Sequence, residues 1–319
     1  MILGTRGSPL ALAQSGWVRA RLMAVHPGLR VELLVIRTTG DAQQASTPDR
    51  PFGAPGDAMS ESAKGIFVKE IEEAMLERRI DAAVHSLKDL PTTQPAGLAV
   101  VCHPPREDPR DVLVSREGHT VEALPAGARL GTSSPRRAAQ LLAARPDLLV
   151  TPVRGNVDTR IRRMLEGRFD AVILAAAGLS RLGGLLDRRP DGARIRMIPE
   201  ELCVPAVGQG ALAIETREDD AESRSLVAVL HDPDTALEIS AERSFLAALG
   251  GGCRVPVAAR ARATPGRLSM RGIVASPDGR RIVRVDGEAG SETGPDLGRR
   301  LAARAIEQGA GGLLGLETR

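Results

Sequence analysis

One arrangement occurs twice in this 319-residue chain and limits what it can fold into. Gly4-Thr-Arg-Gly-Ser-Pro-Leu-Ala-Leu-Ala-Gln14 and Gly131-Thr-Ser-Ser-Pro-Arg-Arg-Ala-Ala-Gln140 share one order: Gly-Thr, a small polar turn, Ser-Pro, then an alanine-rich stretch ending in Gln. Each follows a short apolar segment, Ile2-Leu3 in the first case and Ala128 to Leu130 in the second. Ser8 and Ser134 suit the N-cap, where a hydroxyl accepts from a free N–H of the first turn. Pro9 and Pro135 suit the first helical position, where no donor is needed. A strand that delivers a capped helix, twice over, predicts two similarly built α/β domains.

The rest of the chain fits that frame. Arg30 to Arg37 and Ala82 to Val84 have the composition of strands, and a helix is expected from about Lys69 to Arg79 with Ile71, Met75 and Leu76 inward. Residues 39–64 are rich in Gly, Pro, Ser, Asp and Gln, which predicts a long loop of the lid or binding kind. The Pro-rich, charged stretch from Cys102 to Arg110 looks like a crossing between domains. Strands are expected at 148–153 and 171–174, with Asn156 capping the helix between them. The glycine turn before Ile214 leads into a strand that returns to the first domain. A helix over 235–249, a hairpin of 268–274 with 281–285 and a helix over 297–308 make a small α+β domain. The division expected is 1–103 with 204–231, then 104–203, then 232–319.

The candidate chemistry begins at Asp81-Ala-Ala-Val-His-Ser-Leu-Lys-Asp-Leu-Pro91, where His85, Ser86, Lys88 and Asp89 follow a buried strand. Ligands of α/β sheets collect outside the carboxyl ends of strands. A carboxylate beside a lysine also describes a surface ion pair of little worth. Of 43 basic residues only Lys64, Lys69 and Lys88 are lysine, and a compact point charge differs most from an arginine fork where geometry matters. Arg6 and the adjacent Arg136 and Arg137 are expected in first helical turns, where a cation opposes the helix dipole unless an anion is bound. Arg154 is expected at a strand end, Arg160 one turn into the helix that follows and Arg181 just after a strand, whereas Arg162, Arg163, Arg188 and Arg189 look like solvated faces. Arginine forks match carboxylates bidentately, so the ligand should carry several anionic groups.

Other classes fit poorly. Four Phe, one Trp and no Tyr leave little to stack on nucleic-acid bases, and the net charge is only +3. The five histidines show no metal-ligand spacing, so no metal is expected. The start lacks a signal-peptide core, and no stretch reaches the roughly 20 apolar residues of a membrane span, so no membrane association is expected. Three cysteines without a CxxC pair suit a reducing cytoplasm. Cys102 and Cys203 fit buried positions, whereas Cys253 follows three glycines beside Arg254, a setting for an accessible thiolate.

Eight motifs, in order, resemble the porphobilinogen deaminase family, whose members are also called hydroxymethylbilane synthases. They are Thr5-Arg-Gly-Ser-Pro-Leu-Ala11, Lys64-Gly-Ile-Phe-Val-Lys-Glu70, Val84-His-Ser-Leu-Lys-Asp-Leu-Pro91 and Glu107-Asp-Pro-Arg-Asp111, then Gly131-Thr-Ser-Ser-Pro-Arg-Arg137, Arg154-Gly-Asn-Val-Asp-Thr-Arg160, Pro205-Ala-Val-Gly-Gln-Gly-Ala211 and Gly251-Gly-Cys-Arg-Val-Pro256. The resemblance implies a transferase of tetrapyrrole, porphyrin and heme biosynthesis. It condenses four porphobilinogen molecules head to tail, with loss of ammonia, into the linear tetrapyrrole hydroxymethylbilane. It implies a dipyrromethane cofactor joined by a thioether to Cys253, and a fold like the two-lobed periplasmic binding proteins with a small third domain.

By the same resemblance Asp89 and Lys88 are catalytic, Asp89 serving the ring nitrogens and the cation left when ammonia departs. Ser86, Lys88, Asp89, Thr132, Ser133, Ser134, Arg136, Arg137 and Arg160 would hold the cofactor. Arg6, Lys64, Arg154, Arg160, Arg181 and Gln209 would hold substrate, with Gln209 near the cleft between domains. A cytoplasmic monomer that hands its product to uroporphyrinogen-III synthase is also implied. Two departures stand out: the 41–62 loop looks longer than usual, and Pro135 replaces an apolar residue. The competing expectation is a non-catalytic anion-binding protein on the same scaffold, which would leave Asp89 and Cys253 idle.

Overall fold

The computed structural model describes residues 1–40, 67–188, 192–250, 256–289 and 293–315. In chain order the strands are β1 (Ile2–Arg6), β2 (Glu32–Ile36), β3 (Ala82–Ser86), β4 (Leu98–Cys102), β5 (Asp111–Ser115), β6 (Arg129–Gly131), β7 (Leu149–Thr151), β8 (Ala171–Ala175), β9 (Arg194–Met197), β10 (Leu212–Arg217), β11 (Val257–Thr264), β12 (Arg267–Ala275) and β13 (Ile282–Ala289). The helices used below are α1 (Pro9–Val25), α2 (Lys69–Leu76), α3 (Pro135–Ala144), α4 (Val157–Leu165), α5 (Ala176–Arg181), α6 (Ala221–Ala228), α7 (Pro233–Ala248) and α8 (Gly294–Ala305). The chain falls into two compact units. One holds the described residues of 1–107 and 210–236, the other those of 108–209 and 237–315.

Each unit is built on a five-stranded sheet, and the two sheets have one topology. The orders are β2-β1-β3-β10-β4 and β7-β6-β8-β5-β9. In the first, β1 runs parallel to β2 and β3, and β10 is antiparallel to β3 and β4. In the second, β6 runs parallel to β7 and β8, and β5 is antiparallel to β8 and β9. The antiparallel strand β10 comes from a distant part of the sequence in the first sheet, whereas β5 precedes the other strands of the second. The paired Gly-Thr…Ser-Pro motifs thus mark equivalent places: the carboxyl end of a parallel strand and the helix that follows it.

Local chemistry sets those junctions. The Ser8 hydroxyl accepts from the Ala11 N–H at the start of α1, and the Ser134 hydroxyl accepts from the Arg137 N–H at the start of α3, each with proline just inside. Asn156 caps α4 by accepting from the Thr159 N–H. Each such bond satisfies a donor that the helix cannot. In the first sheet, alternation sorts the core. Ala82, Val84, Leu212 and Ile214 pack in one apolar cluster with Val18 and Leu22 of α1, while Ala83 joins Ile71, Ala74 and Met75 of α2 in another. Successive side chains of a strand point to opposite faces, so one short segment serves both layers.

The second unit also carries an antiparallel sheet, β11-β12-β13, packed with α7 and α8 around Phe245, Met270, Leu297 and Leu301. Gly279, at the β12–β13 turn, lies against α3 so closely that a Cβ there would meet the Ala139 carbonyl oxygen at 2.3 Å. Its φ of +71° also favours glycine.

Several expectations change in detail. β3 continues through His85 and Ser86, which were expected beyond its end. Arg6 ends β1 instead of opening a helix, because the Ser8 cap places the first helical residue at Pro9. Leu76 is 48% exposed, and Ala74 takes the inward place in α2. Arg181, expected just after a strand, closes the short helix α5 that follows β8. The C-terminal hairpin gains β11 as a third strand. The long loop expected over 39–64 lies, from residue 41 onward, outside the described residues.

Candidate active site

In the first unit, parallel pairing places the carboxyl ends of β1 and β3 at one edge of the sheet. Arg6 ends β1, and Ser86 ends β3, followed by a 3-10 turn over Leu87–Asp89. That turn is anchored: the Leu87 N–H donates to the Ala211 carbonyl and the Leu90 N–H to the Leu87 carbonyl, both at 3.1 Å. Leu87 and Leu90 are buried, while Lys88 and Asp89 are half-buried. Gln14 of α1 hydrogen-bonds Ser86 through its side chain at 2.9 Å. The Arg6 guanidinium lies over the Phe67 ring, 4.2 Å from its centroid, in cation–π geometry. A cavity of about 60 Å³ opens here, lined by Arg6, Ser8, Gln14, Phe67, Ser86 and Asp89 among others. It combines an arginine fork, hydroxyl and amide groups, and a carboxylate around a space open to a small polar ligand.

In the second unit the same edge gathers the residues after β6 and β7. The Ser134 N–H donates to the Thr132 hydroxyl at 3.2 Å, and the Ser133 hydroxyl donates to the Val153 carbonyl at 2.8 Å. Arg154 is half-buried, as are Arg160 and Arg181, and Arg160 Nε donates to the Gly155 carbonyl at 2.8 Å.

Arg136 and Arg137 are not solvated, and each already meets a carboxylate of the chain. Both are 6% exposed, and the carboxylate they meet is Asp111, at the start of β5 and fully buried. Arg136 Nη1 donates to Asp111 Oδ2 at 2.8 Å, and Arg137 Nη2 and Nε donate to Oδ1 at 2.7 and 3.0 Å. Arg136 Nη1 also reaches the Val204 carbonyl, and Arg137 Nη1 the Ile173 carbonyl. Burial alone would raise the Asp111 carboxyl, but the two guanidinium charges overcome it and hold the group well below the usual carboxylate range. Arg136 Nε is buried with no hydrogen-bond partner among the described residues.

Gln209 belongs to this network. Its Nε2 donates to Asp111 Oδ1 at 2.8 Å and to the Pro109 carbonyl at 2.6 Å, and the residue is 1% exposed. Gly208 and Gly210 on either side have φ of +74° and +88°, so the GQG spacing is a backbone requirement as well as a motif. Cys102 and Cys203 are both buried; burial pushes each thiol up to about 12, with the Asp111 charge adding to the rise at Cys203. Cys253, Arg254 and Lys64 lie outside the described residues. Lys69, one of the three lysines, is an exposed helix residue paired with Glu73 at 3.7 Å.

Sequence reasoning missed Asp111 as the internal counter-ion, Gln14 and Phe67 at the cavity, and a buried bond from His85 Nε2 to Glu215 Oε2 of 3.1 Å. A signal existed for Glu215. It is an acid placed directly after the apolar run Ala211 to Ile214 and within the buried strand Leu212–Arg217, and a charged residue in such a place needs a buried partner.

The family comparisons agree along the chain. Residues 1–225 match the porphobilinogen deaminase dipyromethane cofactor binding domain, and residues 236–307 match the porphobilinogen deaminase C-terminal domain. A porphobilinogen deaminase from Syntrophobacter fumaroxidans is 47% identical over 97% of this chain and 94% of its own length. One from Roseiflexus is 48% identical over 98% of both chains. Among solved structures, the periplasmic aliphatic sulphonate binding protein SsuA from Escherichia coli aligns with a TM-score of 0.39 and 15% identity, over 79% of this chain and 70% of that one. With both domain models matched and near-half identity sustained over almost the full length, the chain belongs to the porphobilinogen deaminase family.

Proposed function

We propose that Asp89 is the carboxylate at which this enzyme of the porphobilinogen deaminase family carries out its condensation. The activity is that of a hydroxymethylbilane synthase: four porphobilinogen molecules are joined head to tail into hydroxymethylbilane, with ammonia released at each addition. The observation that carries the assignment of Asp89 is its place on an anchored turn after β3, bordering a cavity shared with Arg6, Gln14 and Ser86.

When the aminomethyl group of porphobilinogen loses ammonia, the pyrrole is left with positive charge. A carboxylate already fixed beside it stabilises that charge without reorganising, and accepts from the ring N–H. Arg6 presents a planar fork suited to the acetate or propionate group of the substrate, while Lys88 offers a point charge. Arg154, Arg160, Arg181 and Lys64 are assigned to the remaining substrate carboxylates.

The cofactor of this family is dipyrromethane. A carboxylate-bearing pyrrole pair fits the donors present: Thr132, Ser133 and Ser134 supply hydroxyls, and the buried Arg136 Nε is a donor without a partner among the described residues. Ser86, Lys88, Asp89 and Arg160 complete the proposed set, with the thioether at Cys253. When bound, the cofactor supplies the pyrrole carbon at which the chain is extended. For Arg137 and Gln209 the bonds to Asp111 favour a positioning role over direct contact.

The same assignment carries a cytoplasmic monomer, a hand-off of product to uroporphyrinogen-III synthase, and domains of 1–103 with 204–231, 104–203 and 232–319. No helix among the described residues is long and apolar enough to cross a membrane.

Purified protein given porphobilinogen should release four ammonia molecules per linear tetrapyrrole, read by an ammonia assay and mass spectrometry. Removing one charge-stabilising group from a transition state costs about 10²–10³ in kcat, and Asp89→Ala should lose that much with its unfolding temperature unchanged. Asp89→Glu should retain part of the activity. Near-wild-type turnover by Asp89→Ala would remove Asp89 from the reaction.

A further inference from the structure

A buried group of ionisable residues stands behind the turn that bears Asp89. By strand alternation, His85 of β3 shares the α2-facing side with Ala83. On β10, Ala213 pairs with His85 and Glu215 with Ala83, so Glu215 lies diagonally across the strands from His85. His85 Nε2 and Glu215 Oε2 are 3.1 Å apart, with side chains 3% and 0% exposed. The other oxygen of that carboxylate, Glu215 Oε1, is buried and has no hydrogen-bond partner among the described residues. A buried carboxylate oxygen without a donor is costly unless something supplies a proton. His85 also lines the cavity that Asp89 and Ser86 border, so the group reaches the site itself.

The remaining ionisable member is Glu72, half-buried on α2, which packs against β3 and β10. Burial first, and the charge of Glu215 second, push its carboxyl up to about 7. Glu73 of the same helix adds to the rise, and His85 opposes it. Arg217, two residues along β10 from Glu215, is occupied by the Met75 and Ile80 carbonyls and by Asp220. On the opposite layer α1 contributes a neutral group, Gln14, to Ser86.

We propose that Glu72 donates its carboxyl proton to the orphaned Glu215 Oε1, completing a Glu72–Glu215–His85 chain that runs from the half-buried face of α2 to the buried pair, and that this chain is a positioning element for the β3 end bearing Ser86, Lys88 and Asp89. The proposal rests on Asp89 as the site carboxylate for its catalytic part only. A carboxyl and a carboxylate sharing one proton hold their helix and strand together, whereas two carboxylates repel. Raising the pH through about 7 deprotonates Glu72. The hydrogen bond is then lost, α2 loosens against the sheet, and the registry of the Asp89 turn with it.

The test uses the holoenzyme and two readouts. Difference infrared spectroscopy of wild type against Glu72→Gln should show a protonated-carboxyl band at pH 6 that fades towards pH 8 and is missing from the variant. This readout needs no substrate, so it separates failure of the proton-sharing chain from failure of the catalytic assignment. In turnover, wild-type kcat should carry a component that falls up to about tenfold as the pH rises through 7, in the range expected for small displacements of a reacting group. Glu72→Gln keeps an N–H donor at every pH and should lose that component, with KM little changed. Glu72→Ala should show the low kcat at all pH values. A wild-type spectrum without the band, or a band that Glu72→Gln leaves in place, overturns the shared proton. An unchanged kcat–pH profile in Glu72→Gln overturns the positioning role.

Discussion

Replacing Asp111 with Asn should be among the most damaging single changes in the second unit, although Asp111 itself needs touch no ligand. Oδ1 accepts from Arg137 Nε, Arg137 Nη2 and Gln209 Nε2, and Oδ2 accepts from Arg136 Nη1, all between 2.7 and 3.0 Å. The carboxylate is fully buried and both arginine side chains are 7% exposed. Asn keeps the shape but removes the counter-charge of two guanidiniums, and it turns an N–H₂ group toward donors. Breaking a buried pair by removing one partner costs about 3–5 kcal/mol. At about 2–4 °C per kcal/mol, that lowers the melting temperature by about 6–20 °C in calorimetry at pH 7.

The pH dependence gives a second check. The Asp111 carboxyl is held below its unfolded value of 3.8, so the folded state binds fewer protons there than the unfolded chain does. Its contribution is therefore complete above that value and is lost as the pH falls through the lower, folded-state one. Wild type should lose stability on acidification below about pH 4, and Asp111→Asn should lose less over the same interval. A variant melting within about 2 °C of wild type would refute the assignment of Asp111 as the counter-ion that permits two buried arginines.

Two further outcomes are expected. Phe67→Leu removes the ring under Arg6, an interaction worth about 0.5–1 kcal/mol, so KM for porphobilinogen should rise about two- to fivefold with kcat within a factor of two. An unchanged KM would mean that the ring does not orient that guanidinium. Thiols pushed up to about 12 by burial do not alkylate in folded protein, so Cys102 and Cys203 should stay unlabelled by iodoacetamide at pH 8 and label fully in denaturant. Labelling of either in the native state would contradict its packing.

The features legible in the sequence are those whose physics is local. Ser8-Pro9, Ser134-Pro135 and Asn156 name their helix starts because cap and first-turn donor lie three residues apart. The recurrence of two such junctions was enough to anticipate two similar sheets. Short strands such as β4 and β9 were not anticipated, since four or five residues carry little periodic signal. Nor was β11, whose alanines and arginines do not announce a strand.

The site divides in the same way. The oddity of cations in the first turn of α3 was visible, but the answering carboxylate is 25 and 26 residues away, and only the crossing of β5 brings it there. His85 and Glu215 are separated by 130 residues and meet through the return of β10 to the first sheet. Asp89 could be singled out because its setting, a strand end closed by Pro91, is continuous in sequence.

The most direct test of the account is the intact mass of the purified enzyme beside its Cys253→Ser variant, with porphobilinogen in ample supply during growth. The wild-type chain should be heavier than its sequence by two pyrrole units, the adduct should give the colour reaction of a pyrrole with Ehrlich's aldehyde, and the variant should have neither. A wild-type chain at its bare sequence mass, or an adduct that persists in Cys253→Ser, would contradict a dipyrromethane joined at that cysteine.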